Sequence, residues 1–305
     1  MRLALVPAAL LLLAAAPPPL AVTLPADAPI AASINGQPVN LSLATGAVDR
    51  ITLNGGTVAR LGLKPAGLMG RANVRIGRTG VLSGRNTPAG VTMLGQTFNQ
   101  RVFWFDGAAA IAEDGSIGPM ALPHDRVTIV LKPGESGSDW VLPLFGGLNS
   151  GANGGVNGKG YGFGLSVDVR ARMALPLASA ALGADLAAAL GGRLEGEAWQ
   201  EEIFMGVRRP VRRLVLDRPL LVGPFRFNAV AVRVNDRRDA TAQLANGQAG
   251  PADADDDPSE IVVSADTGKR RQVVRSFTLS RTQLEAAGCS TLVIDKPAKQ
   301  LRLRC

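Results

Sequence analysis

The chain has 305 residues, 46% of them hydrophobic, enough to bury a sizeable core in one large domain or two of ordinary size. The formal net charge is +8, yet only 4% of residues are aromatic. That shortage argues against a nucleic-acid partner, because base-stacking platforms need aromatic rings. The basic balance reads as a solvated surface, with weak attraction to an anionic membrane face as a further use. With one His, two Cys and no Cys-x-x-Cys, the chain offers no ordinary metal-ligand set, and no cofactor is expected.

Residues 1–22 read as a secretory signal peptide. Arg2 is the basic start, residues 3–16 are apolar, and Pro17-Pro18-Pro19 breaks any helix. The apolar run is too short to span a bilayer, and no later run is long enough. The expected destination is export, in a bacterium to the periplasm. Thirty-six Gly and 20 Pro then favour many short strands and turns.

Ile34, an Asn35-Gly36 turn, and Val39, Leu41 and Leu43 alternating with Asn40 and Ser42 spell a β-hairpin. Ala44-Thr45-Gly46-Ala47 is small and turn-like. Ile51-Thr52-Leu53 reads as a strand, followed by a short helix over residues 57–61 ended by Gly62. Further strands are expected at 73–76, 87–94 and 98–105. Asp114-Gly115-Ser116-Ile117-Gly118, a short segment 119–122 and a strand 127–131 complete the first part.

This order resembles one lobe of the retropepsin-like aspartic proteases, over residues 30–133. In that family an Ile-Asn-Gly hairpin leads to apolar-Asp-Thr-Gly-Ala, a strand and an Ala-Arg-Leu-Gly-Leu helix. The lobe then closes with Asp-Gly, two apolar residues, Gly, a short helix and a strand. Here Ala44 stands at the family's aspartate, Ser116 at an apolar position and Pro119 at the helix start.

Residues 134–164 read as a Gly-rich linker between lobes, with room for an edge hairpin. Its Gly158-Lys159 is followed by Gly160, so it fails as a phosphate-binding loop. Residues 165–305 repeat the first lobe in outline. Residues 163–176 can be laid on 41–54, which places Ser166 on Ala44. A helix over 178–190 replaces the one at 57–61, residues 277–284 parallel 115–122, and Leu292 onward parallels Thr128 onward. A polar, acidic insertion, 239–259, interrupts this copy and reads as disordered. The arginines from Arg208 to Arg238 read as a solvated strand face, with a docking surface as the alternative. Cys289 and Cys305 flank a C-terminal hairpin that an oxidising compartment would close with a disulfide. Two free thiols is the other reading.

The fold class implied is mostly β: two retropepsin-like β-barrel lobes in a single-chain pseudodimer. Aspartic proteolysis needs two carboxylates about 3 Å apart sharing a proton. The aligned loops, Ala44-Thr45-Gly46 and Ser166-Val167-Asp168, do not supply that pair. The literal Asp266-Thr267-Gly268 is followed by Lys269-Arg270-Arg271 instead of a strand and helix, and reads as an accidental turn. His124 reads as a surface or turn residue, and no Gly-x-Ser-x-Gly is present. The resemblance therefore implies an exported, aspartic-protease-like protein without activity that holds an extended peptide or protein segment in its groove. The alternatives are an active endopeptidase using Asp168 or Asp266, and a structural envelope protein.

Overall fold

The computed structural model describes residues 20–46, 50–76, 80–106, 113–134, 137–145, 153–204, 207–234 and 275–305. Nineteen strands and three short α-helices lie among them, in two sheets. The insertion at 239–259 falls outside the described residues, as do Asp266 and most of the expected signal peptide.

The smaller sheet is built from β2 (Ile30–Ile34), β3 (Gln37–Leu43), β4 (Ile51–Leu53), β5 (Arg71–Ile76), β6 (Gly80–Met93), β7 (Gln96–Phe105) and β8 (Gly115–Ile117). Their spatial order is β2-β3-β8-β4-β7-β6-β5, and a β2–β6 pairing closes six of them into a barrel. The turns match the local sequence. Asn35 and Gly36 take φ of 49° and 80°, and Leu94 and Gly95 take 49° and 76°. Two consecutive positive φ values give the tight hairpin turn whose twist suits the flanking strands. The barrel interior is filled by Ile34, Leu41, Leu43, Ile51, Val91, Val102 and Ile117, all fully buried. The first helix, α1 (Gly55–Arg60), starts two residues earlier than the sequence pattern suggests. A single 3-10 turn over Pro119–Ala121 forms the short segment expected at 119–122.

The larger sheet begins with a central platform. Its order is β1 (Ala21–Pro25), β9 (Arg126–Val130), β18 (Thr291–Asp295), β19 (Gln300–Arg304) and β10 (Asp139–Phe145). It continues through β11 (Asn153–Gly158), β12 (Tyr161–Asp168), β17 (Ser276–Ser280), β13 (Leu177–Ala178), β16 (Phe225–Arg233), β15 (Val207–Val222) and β14 (Arg193–Phe204). Two helices join this half. α2 (Ala180–Leu190) is capped by Ser179, whose Oγ accepts from Leu182 N at 3.3 Å. α3 (Arg281–Ala286) starts with a Ser280/Gln283 capping box.

The two halves share a strand plan. β3 runs parallel to β8, β8 antiparallel to β4, and β4 parallel to β7. In the second half β12 runs parallel to β17, β17 antiparallel to β13, and β13 parallel to β16. At the platform, Thr128 pairs with Val293 and Ile129 with Leu292. Exchanging the two halves turns one pair into the other, as the Thr128/Leu292 correspondence requires. The second half is not closed by a β11–β15 ladder among the described residues. β11 instead pairs with β10.

The stretch 134–164 is more than a linker. Alternation in Trp140, Leu142 and Leu144 against Asp139, Val141, Pro143 and Phe145 is the pattern of a half-buried strand, and β10 pairs with β19 from Asp139 to Pro143. The glycines that suggested flexibility give side chains room. A Cβ on Gly155 would lie 2.3 Å from the Phe145 ring, and one on Gly158 would lie 2.2 Å from the Tyr161 ring. At the far end, the Cys289 and Cys305 sulfurs are 1.98 Å apart, bonding distance.

Candidate functional site

The candidate site is where the loop after β3 meets the loop after β12. Ladder register fixes the correspondence. Ser42 pairs with Ser116 and Leu43 with Ile117, while Ser166 pairs with Thr278 and Val167 with Leu279. One residue further on, Ala44 N donates to Ile117 O at 2.9 Å, and Asp168 pairs with Ser280. Asp168 therefore occupies in the second half the position of Ala44 in the first, and Val169 that of Thr45.

Contacts across the junction agree. Val169 N donates to Thr45 Oγ1 at 3.0 Å in a buried hydrogen bond. Gly46 lies against Asp168: a Cβ there would be 2.8 Å from both Cβ and Oδ2 of the aspartate, so only glycine fits without a shift. Asp168 Oδ1 accepts from Arg170 N at 2.9 Å and Ala171 N at 3.0 Å, which pins its own loop. Arg170 Nη2 donates to Glu113 Oε1 at 3.2 Å, tying that loop to the segment entering β8. The next residue, Asp114, anchors the first half. It accepts from Asn40 N at 2.9 Å and Thr57 Oγ1 at 3.1 Å, and it pairs with Arg60. Burial pushes the Asp114 carboxyl up, but the Asn40, Arg60 and Thr57 hydrogen bonds outweigh it and hold the group below the usual carboxylate range.

Ser166 is not the residue facing the first half. Its Oγ lies 2.9 Å from Thr278 Oγ1 on the neighbouring strand of its own half. The expected alignment is two residues out of register. Such a slip leaves every side chain on its correct face, so alternation alone does not expose it. The signal that resolves it is the shared triplet, Leu41-Ser42-Leu43 against Leu165-Ser166-Val167.

Two further expectations need correction. His124 lies in an irregular loop, but it is 4% exposed. Burial, and next the Lys296 charge, hold its imidazole below the usual histidine value, against the opposing pull of Asp125. The arginine-rich stretch is not uniformly solvated either, since Arg209 is 2% exposed. On β15 these arginines stand opposite the glutamates of β14: Arg208 opposite Glu202, Arg209 opposite Glu201 and Arg213 opposite Glu195. Opposite charges directly across a ladder stabilise it modestly.

Chemically, the two equivalent positions bring one carboxylate and one methyl group to the junction. A dyad sharing a proton cannot form from Ala44 and Asp168. Among the described residues no group of three or more His, Cys, Asp or Glu could hold a metal ion, and no helix is long and apolar enough to cross a membrane. No model of a known protein family matches the chain, and neither does any curated protein.

Proposed function

We propose that the protein is an exported relative of the retropepsin-like aspartic proteases that no longer cleaves, and that binds an extended peptide in the groove between two lobes. The observation that carries this is the Thr45–Val169 hydrogen bond, which joins two topologically equivalent loops whose equivalent positions hold Ala44 and Asp168. The repeated strand plan supports the two-lobe reading, and the cysteine pair is compatible with an oxidising compartment. The groove role extends the family resemblance to a site whose catalytic pair is incomplete.

The test is casein digestion at pH 3–5, together with binding of an extended peptide library. The unmodified protein leaves casein intact and retains a subset of peptides. Ala44→Asp puts a carboxylate at the position equivalent to Asp168 and yields trace proteolysis, which Asp168→Asn in the same background removes. Positioning to a fraction of an ångström limits that gain. Digestion by the unmodified protein, abolished by Asp168→Asn or Asp266→Asn, would sink the inactive reading. Retention of no peptide would sink the binding role.

A further inference from the structure

A concavity lies away from the loop junction, between α2 and the face of β14–β16. It has a volume of about 570 Å³, within the roughly 300–1,000 Å³ range of small-molecule sites. Its helical wall is made of small side chains, Ala184 and Ala187 among them, and its opposite wall includes Leu194 of β14 and Leu214 of β15. Gly183 sets the helix close to the sheet, since a Cβ there would lie 2.4 Å from Val232 Cγ1. Among the described residues the charged groups lining the cleft are Arg212 and Arg233, and Arg233 is engaged by an interaction of its own. Arg212 Nε donates to Gly196 O at 3.2 Å, the only bond of that side chain among the described residues, so its two terminal nitrogens remain available. The single acid of α2, Asp185, is paired with Arg275 and does not line the cleft.

An apolar trough that, among the described residues, presents the terminal nitrogens of Arg212 and no carboxylate suits one kind of occupant. We propose that it binds a single-chain amphiphile with a carboxylate head, of the fatty-acid class. The chain lies along the alanine and leucine walls, and the head is drawn to the Arg212 fork, whose planar donors match a carboxylate. An added peptide strand fits less well. The β14 ladder shifts register between Glu195 and Trp199, and Gly196 takes a φ of 68°. A bulged edge offers no regular row of partners.

The experiment is calorimetric titration of the purified protein with laurate below its micelle concentration. Dodecanol, dodecyltrimethylammonium and anionic phospholipid vesicles serve as separate arms. Laurate binds saturably with one site, dodecanol binds about tenfold more weakly, and the cation does not bind. Arg212→Gln lowers laurate affinity about tenfold, the effect expected for one charge-assisted contact, and leaves dodecanol unchanged. Ala187→Trp fills the trough and removes both. Ala184→Phe, at an exposed position, does the same with less risk to the fold, and melting curves verify that each variant is folded. The proposal is overturned if laurate does not bind, if the cation binds as well, if only vesicles bind, or if both filling variants bind laurate undiminished.

Discussion

The two halves differ most where their plans coincide. The first half is a closed six-strand barrel, and its junction loop carries Ala44 and Thr45. The second is an open run of strands continuous with the platform, and its loop carries Asp168 and Val169. Each loop has what the other lacks. The first supplies a hydroxyl that takes the partner's buried N–H, and the second supplies a carboxylate that takes two N–H groups of its own loop. The junction is thus a one-sided version of what the repeated topology would make symmetric. The hydroxyl serves the contact between halves, whereas the carboxylate serves its own loop.

The largest way to break this comparison is at the covalent tie, which lies only in the second half. Replacing Cys289 and Cys305 together by Ala should cost about 3 kcal/mol for a loop of this size, read as a lower urea midpoint. An unchanged midpoint would mean the bond constrains nothing in the unfolded chain. Thr45→Val comes next, because it strands the Val169 N–H in a buried site at a cost of about 2 kcal/mol. Ser166→Ala should cost about 1 kcal/mol, since it loses only a part-buried contact with Thr278. If the order of these two losses were reversed, the correspondence of Asp168 with Ala44 would be wrong. Val169→Thr sharpens the comparison from the other side. A hydroxyl there can accept from the first loop in return, and the gain should be about 0.5 kcal/mol. A loss would show that the second loop has no room for symmetry.

The smallest effect is on pH. His124 is held below its usual 6.5 by burial and then by Lys296. The unfolded chain therefore takes up that proton at higher pH than the folded one. Stability should fall as pH drops below about 6.5, and His124→Phe should flatten that step. Asp114 and Asp295 are held below 3.8, where burial is outweighed by their hydrogen bonds. Their contribution is present above that pH and is lost on further acidification. Urea midpoints at about pH 8, 5 and 2.5 separate the two steps.

Much of the first half was legible in the sequence because its signals are local. Asn35-Gly36 dictates a turn, Ile51-Thr52-Leu53 is a fully buried strand, and the segment from Gly115 to Ile117 forms β8. The second half was harder for physical reasons. Its β13 has two residues, Leu177 and Ala178, and it is a strand only because β16 and β17 flank it. The glycines of β11 mimic a flexible linker until the rings above them are seen. At the junction, Thr45 and Gly46 touch the other half, and the sequence alignment gave Ser166 the position that the ladder register gives Asp168. Burial of Arg209 depends on which strands cover β15, and no spacing of arginines reveals that.

The platform also sets an order of events for the newly made chain. All strands of the barrel lie between Ile30 and Ile117, so that unit can form as soon as the first third or so of the chain is available. β9 cannot. Its neighbour on one side is β1, but on the other it is β18, which begins at Thr291. Until residues 291–295 are synthesised, β9 presents a bare edge with Val127 and Ile129 along it. Long-range pairing of this kind is slow, and an open apolar edge invites the wrong partner in the interval. Residues 291–305 thus act as a closing step for a sheet begun at residue 21.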